Sequence, residues 1–255
     1  MTKKTLTIKE TVFGAGRPKI AVPVTAATMA AAIAQAQQAA LPAVDVIEWR
    51  IDFLKGTVDP QAIAKTARRI QAVISPRLLL VTLRTKEEGG QVQVSDERYQ
   101  ELYRPLLATG STDLVDLELL AHSNECITAL TALAHDHQIK VIMSSHDFTK
   151  TPRLALLRQR LTQMEAAGAD IAKLAVMPHR PADVLEVLEL TQDYHLHGRL
   201  PLITMAMGDL GKITRVSGEL FGSCLTFASV GQAQASAPGQ IAVDELERIL
   251  NDLRI

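Results

Sequence analysis

Short apolar segments alternate with longer amphipathic or alanine-rich segments along nearly the whole chain. The apolar segments have the length and composition of buried strands, and the longer ones have the spacing of helices. The predicted strands are residues 19–25, 44–52, 78–84, 114–119, 139–145, 171–176, 200–207 and 222–229. The predicted helices are residues 26–40, 60–74, 96–108, 124–137, 152–167, 181–194, 208–216 and 241–253. This α/β alternation indicates one parallel sheet covered by helices.

The length of 255 residues is that of a closed (β/α)8 barrel, so we predict a single TIM barrel domain over residues 1–255. An open doubly wound sheet is the competing architecture, but the sequence after the first strand is Thr25-Ala-Ala-Thr28, without the glycine-rich fingerprint of that fold. Residues 6–13 alternate polar and apolar positions ahead of Gly14 and Gly16. This pattern predicts a short N-terminal β-hairpin within residues 1–18.

Composition excludes several classes of partner. The net charge of -1 and the pI near 6.7 give no basic face for nucleic acid or an anionic membrane. Neither a signal-peptide pattern nor a membrane-spanning run is found, so we expect a cytoplasmic protein. The two cysteines, Cys126 and Cys224, suggest neither a disulfide framework nor a zinc site, and no metal is expected.

A lysine stands in the middle of the apolar strand 171–176, where Lys173 is flanked by Ile171, Ala172, Leu174 and Ala175. Burying an ammonium without a partner is costly, and a buried lysine commonly becomes a neutral amine that attacks carbonyl carbon. The alternative is a strand-edge lysine that extends its ammonium to water.

Polar residues also lie late in other predicted strands. In strand 44–52 the period of two places Glu48, Arg50 and Asp52 on one face, which in a parallel barrel is the interior rather than a solvated surface. Further polar residues follow the ends of strands, where barrels carry their reactive groups: Arg84 before Gly89-Gly90, His146 after strand 139–145, and Arg215 after strand 200–207. The small, polar segment 229–240 is long for a βα loop and is predicted to be a lid.

These fragments in combination resemble the type I 3-dehydroquinate dehydratases over nearly the whole chain. The matching residues are Glu48-Trp49-Arg50, Arg84 with Glu88-Gly89-Gly90, Ser144-Ser145-His146-Asp147-Phe148, Ala172-Lys173-Leu174-Ala175 and Ala235-Ser236-Ala237-Pro238-Gly239-Gln240. The resemblance implies a (β/α)8 barrel, usually a homodimer, that uses neither a metal nor a cofactor.

The resemblance also implies residue roles. Lys173 would be the Schiff-base lysine and His146 the general acid and base, with Glu88, favoured over Glu87 by its spacing to Gly89, positioning the imidazole. The implied substrate-binding residues are Glu48, Arg50, Arg84, Arg215, Ser236 and Gln240. The implied reaction removes water from 3-dehydroquinate to give 3-dehydroshikimate, either in aromatic amino acid biosynthesis by the shikimate pathway or in the degradation of quinate.

Two other functions stay open on the sequence. A Schiff-base class I aldolase would use the same lysine and acid/base, although no phosphate-binding glycine turn follows strands 200–207 and 222–229. A barrel that binds a metabolite without turnover is the third possibility, but a binding protein has no need of a buried amine such as Lys173.

Overall fold

The computed structural model describes residues 4–230 and 237–254. Two short antiparallel strands come first, β1 (Leu6–Ile8) and β2 (Thr11–Phe13). The remaining strands are β3 (Lys19–Val24), β4 (Val46–Arg50), β5 (Leu78–Thr82), β6 (Leu114–Glu118), β7 (Lys140–Asp147), β8 (Ile171–Val176), β9 (Leu202–Ala206), β10 (Leu225–Ser229) and β11 (Ile241–Ala242). They form one parallel sheet in the order β11-β10-β3-β4-β5-β6-β7-β8-β9.

The sheet curls until its two sides meet. Leu202 pairs with Ser223 in a parallel bridge, and the Cys224 N–H donates to the Leu202 carbonyl at 2.8 Å. The Lys19 N–H donates to the Cys224 carbonyl at 2.9 Å, which joins the last barrel strand to the first. The predicted barrel with an N-terminal hairpin is confirmed.

Helices follow the strands as the alternation predicts. They are α1 (Met29–Ala39), α2 (Pro60–Ile74), α3 (Asp96–Ala108), α4 (Asn124–Asp136), α5 (Leu154–Ala166), α6 (Pro181–His197), α7 (Lys212–Val216), α8 (Gly218–Phe221) and α9 (Val243–Asp252). Several start at a side chain that accepts a backbone N–H, as Thr28 does for α1, Asp59 for α2 and Ser123 for α4. Within the described ranges, no helix is long and apolar enough to cross a membrane.

Several element boundaries differ from the sequence prediction, and three of these differences change which residues lie on a strand. Residues 241–242 were predicted to begin the last helix, but they form β11, which pairs with Ala228 and Ser229 on the side of β10 opposite to β3. Strand β4 ends at Arg50, and Asp52 lies in a 3₁₀ turn, Ile51–Phe53, rather than on the strand face with Glu48. Strand β7 continues to Asp147 because His146 and Asp147 pair with β8.

Apolar side chains fill two separate layers. The outer layer lies between the strands and the helices and contains Trp49, Tyr99 and Tyr103. The inner layer fills the barrel interior with one or two residues from each of the strands β3 to β10, including Val46, Leu80, Leu114, Ile142, Ile171 and Ile203. Phe13 of the hairpin belongs to the inner layer and is fully buried, so β1 and β2 close the amino-terminal end of the barrel. The carboxyl-terminal end is left for polar side chains.

Candidate active site

A pocket of about 490 Å³, open at its mouth, lies at the carboxyl ends of the barrel strands. It is lined by eight of the nine site residues that the sequence predicts: Glu48, Arg50, Arg84, Glu88, His146, Lys173, Arg215 and Gln240. The ninth, Ser236, lies outside the described residues, as does half of the predicted lid, residues 231–236.

Lys173 is buried, and its side chain extends from the middle of β8 towards this pocket. The ammonium nitrogen Nζ lies 2.8 Å from Oδ2 of Asp116 and 4.7 Å from the centre of the Phe227 ring. The sequence predicted apolar neighbours for Lys173 and did not predict its contact with the Asp116 carboxylate. Lys173 is therefore neither a strand-edge lysine in water nor an amine in a purely apolar pocket.

His146 and Glu88 form a buried pair beside the lysine. Oε2 of Glu88 lies 2.7 Å from Nδ1 of His146 and also accepts the His146 backbone N–H at 3.1 Å. Because this oxygen already accepts hydrogen bonds, we assign the imidazole hydrogen to Nδ1, which leaves Nε2 as a hydrogen-bond acceptor.

Burial makes the charged form of each partner costly. Burial lowers the pKa of His146 well below its ordinary value, and the positive charges of Arg84 and Lys173 lower it further. Burial likewise raises the pKa of Glu88, against the opposing effect of Arg84, and the neighbouring carboxylates Glu118 and Asp116 add to the rise. The imidazole is consequently neutral at neutral pH and able to accept a proton.

The turn after β5 places Glu88, rather than Glu87, beside His146. Residues Lys86–Glu88 form a 3₁₀ turn that ends at Gly89, whose φ of 82° is in the left-handed region that favours glycine. At Gly90 a Cβ atom would lie only 1.9 Å from the Arg84 carbonyl oxygen, so the chain returns so closely that only glycine fits. Glu87 is exposed, whereas Glu88 is turned inward beneath His146.

Arg84 holds together the acidic residues around the pocket. Its guanidinium contacts three carboxylates, Asp116 at 2.9 Å, Glu118 at 2.7 Å and Glu88 at 3.3 Å. It also donates to Ser144 Oγ at 3.0 Å. Arg84 thereby links the end of β5 to strands β6 and β7.

Arg50 and Glu48 are held in a similar way on β4. Arg50 makes a two-pronged pair with Asp52, with distances of 2.8 and 2.9 Å. Glu48 accepts a hydrogen bond from Thr82 Oγ1 at 2.9 Å. Both side chains are buried with their partners, and both remain at the pocket wall.

Arg215 of α7 differs from the other two arginines. It is only 2% exposed, and its Nη2 donates to the Pro238 carbonyl oxygen at 2.9 Å. Among the residues that the structure describes, no carboxylate lies within ion-pairing distance of Arg215, and its Nε has no hydrogen-bond partner. Burial lowers the pKa of Arg215 to about 10. A buried cation without a counter-ion is suited to bind an anionic ligand.

Sequence reasoning missed the two carboxylates of β6, Asp116 and Glu118, which are fully buried. Although burial opposes it, the positive charges of Arg84 and Lys173 hold the pKa of Asp116 far below its usual range. The signal was present in Leu114-Val-Asp-Leu-Glu118, where charged residues alternate with apolar ones as they do in β4. The residues Phe148, Met205, Met207 and Phe227, which also line the pocket, were missed as well.

Comparisons with known proteins agree with this arrangement. The family model for type I 3-dehydroquinase matches residues 20–255. The 3-dehydroquinate dehydratase of Lactiplantibacillus plantarum is 44% identical over 95% of both chains, and that of Syntrophotalea carbinolica is 42% identical over 98% of both.

Solved structures give the same result. The type I 3-dehydroquinate dehydratase of Clostridium difficile, solved with covalently modified comenic acid, superposes with a TM-score of 0.93 at 38% identity, covering 99% of this chain and 98% of that one. The 3-dehydroquinate dehydratase of Geobacillus kaustophilus has a TM-score of 0.93 at 35% identity, covering 98% and 96% of the two chains. The chain described here belongs to the type I 3-dehydroquinase family.

Proposed function

We propose that this protein removes water from 3-dehydroquinate to give 3-dehydroshikimate through a Schiff base on Lys173. One observation carries the proposal: a buried lysine, an imidazole and an arginine that pairs with no carboxylate of the described residues line the same pocket. The first two suit chemistry at a ketone, and the third suits the carboxylate of the substrate. The same proposal includes a role in aromatic amino acid biosynthesis, a single domain over the whole chain, and a homodimer.

The substrate requires this chemistry because the proton to be removed is on the carbon next to a ketone. The carbanion left behind is too unstable to form readily in water. Condensing the ketone with an amine gives an iminium, whose positive charge accepts the electron pair as an enamine. One difficult step is thereby divided into easier ones.

His146 would transfer protons at each stage. The Lys173 ammonium gives one proton to neutral Nε2, and the resulting amine adds to the ketone. The imidazolium returns that proton to the carbinolamine oxygen, and the imidazole then moves a second proton from the nitrogen to this hydroxyl, which leaves as water. The iminium then loses its α proton to Nε2, and the enamine expels the β hydroxyl as a second water that the imidazolium protonates. Hydrolysis of the iminium consumes one water, so the net loss is one. Positioned acid/base transfer of this kind is worth about 10²- to 10⁴-fold in rate.

The remaining pocket residues would orient the substrate. Arg215 would bind the carboxylate through two parallel hydrogen bonds, which the geometry of a guanidinium favours. Glu48, Arg50, Arg84, Ser236 and Gln240 would recognise the hydroxyl groups and the ring. Several of these side chains are already held by partners in the ligand-free protein, so little ordering would be needed on binding.

Intact-mass measurement tests the proposal directly. The protein is incubated with 3-dehydroquinate and borohydride, beside a Lys173→Ala control, and product formation is followed separately. We expect a reduced adduct on the wild type alone, because borohydride delivers hydride to the iminium carbon and makes the bond permanent. The absence of both an adduct and dehydration would refute the function. Products of carbon–carbon cleavage would indicate an aldolase.

A further inference from the structure

Asp116 of β6 is a buried carboxylate in direct contact with Lys173, and the reaction proposed above gives it no role. Its Oδ2 lies 2.8 Å from the Lys173 nitrogen. Its Oδ1 accepts hydrogen bonds from Ser144 Oγ at 2.5 Å and faces Arg84 Nη2 at 2.9 Å. The carboxylate is fully buried, so these three groups fix both of its oxygens.

This placement excludes a direct role on the substrate. Among the described residues, those that line the pocket do not include Asp116. Substrate can therefore reach the carboxylate only through the Lys173 nitrogen. Oδ2 of Asp116 already accepts from Lys173, and Oδ1 already accepts from Ser144 and Arg84. Because both oxygens are occupied, Asp116 has little capacity to accept a proton from the substrate.

The other charged groups around the lysine do not provide this partnership. Arg84 approaches from the end of β5 as a cation, and His146 approaches from β7 as a neutral imidazole, so neither supplies a negative charge. Glu88 and Glu118 are directed to Arg84, and Glu48 to Thr82. The face of the Phe227 ring on β10 adds a weaker attraction for a cation at 4.7 Å. Among the described carboxylates, Asp116 alone pairs with the Lys173 nitrogen.

We propose that Asp116 is the fixed counter-ion of the Lys173 nitrogen and stabilises the positive charge that this nitrogen carries both as the resting ammonium and as the iminium. This inference rests on the proposed Schiff-base function. The Lys173 ammonium first transfers one proton to Nε2 of the neutral imidazole, and the resulting amine then attacks the ketone. Asp116 remains an anion throughout. The carboxylate also fixes the direction from which the nitrogen meets the carbonyl carbon.

The test compares Asp116→Asn with Glu118→Gln. The two substitutions are matched because both carboxylates are fully buried on β6 and both contact Arg84, but only Asp116 contacts Lys173. Two measurements are made on each variant: the fraction of protein trapped by borohydride at saturating 3-dehydroquinate, and kcat and KM as separate values.

We expect Asp116→Asn to lower kcat and the trapped fraction by about tenfold or more, with KM changed little, because the iminium loses its counter-ion. Glu118→Gln should lower kcat/KM through its contact with Arg84 but leave the trapped fraction at its wild-type value.

The inference is overturned if Asp116→Asn traps as much adduct as the wild type, or if both variants change in the same way. If Asp116→Asn does not fold, Asp116→Glu restores the charge and should keep the wild-type trapped fraction despite a lower kcat. A low trapped fraction in Asp116→Glu would refute the inference. Failure of the wild type to form any adduct would refute the proposed function instead.

Discussion

Replacing Arg215 by methionine should make the ligand-free protein more stable while it destroys substrate binding. Arg215 is buried, and its guanidinium has a carbonyl oxygen but no carboxylate as a described partner. Methionine has a similar length and no charge, so it can occupy the same space as an apolar side chain.

The size of the gain follows from the pKa of Arg215, which burial lowers from the ordinary 12.5 to about 10. At about 1.4 kcal/mol per unit, this depression means that the charged form costs the folded state about 3 kcal/mol. The sign is that of a cation whose folded pKa lies below its unfolded one, so the cost is fully present below about pH 10. Loss of the hydrogen bond to Pro238 offsets about 1.5–2 kcal/mol, which leaves a net stabilisation of about 1–2 kcal/mol.

Thermal unfolding measures the effect, since about 1 kcal/mol shifts the Tm of a chain of this size by about 2–4 °C. We expect the Tm of Arg215→Met to rise by a few degrees between about pH 6 and 8, with no change in size across that range. Arg248→Met, at an exposed position in α9, is the control and should change stability by less than about 0.5 kcal/mol.

Catalysis should change in the opposite direction. Loss of a bidentate contact with the substrate carboxylate is worth about 3–4 kcal/mol, so kcat/KM should fall by about 10²- to 10³-fold. A lower Tm for Arg215→Met than for the wild type would refute the view that this charge is held at a cost until an anion binds.

Four further predictions concern the pocket and its support. His146→Gln should lower kcat by about 10²- to 10⁴-fold in a steady-state assay, because it removes the proton acceptor; a smaller loss would assign that role to another group. Because burial places the pKa of His146 below its ordinary value, kcat/KM should keep its plateau below about pH 6.5 and fall only in more acidic solution, and a limb above neutrality would contradict this. Gly90→Ala should lower the free energy of unfolding in urea by about 1–3 kcal/mol, since its Cβ would meet the Arg84 carbonyl oxygen at 1.9 Å. Burial raises the pKa of Cys126 to about 11 and of Cys224 to about 12, so iodoacetamide at about pH 8 should leave both unmodified in the folded protein by intact mass.

The sequence was sufficient to predict the alternation of strands and helices because each buried parallel strand is a short apolar run of its own. It also located Lys173, His146 and Arg215, because a charged or titratable residue beside such a run is unusual. These signals are local, and each can be read without knowing which strand lies beside which.

Contacts between strands could not be predicted in the same way. The carboxylates of β6 became significant only when the barrel placed Asp116 against Lys173, a residue 57 positions later, and Glu118 against Arg84. Likewise, residues 241–242 are a strand only because they lie beside Ala228 and Ser229 of β10, a contact that their own sequence does not show. Pairings of this kind depend on three-dimensional proximity, which periodicity does not encode.

The closure of the barrel at a single bridge has a mechanical consequence. Strand β8 pairs with β9 at five positions, whereas in the described chain β9 is joined to the segment just before β10 by a single parallel bridge, Leu202 with Ser223. The ring therefore has one weak joint, and amide hydrogen exchange should be fastest there among its strands. Because α7, which carries Arg215, lies in the connection between β9 and β10, local opening at this joint would disturb the anion-binding side of the pocket before the rest of the barrel unpairs.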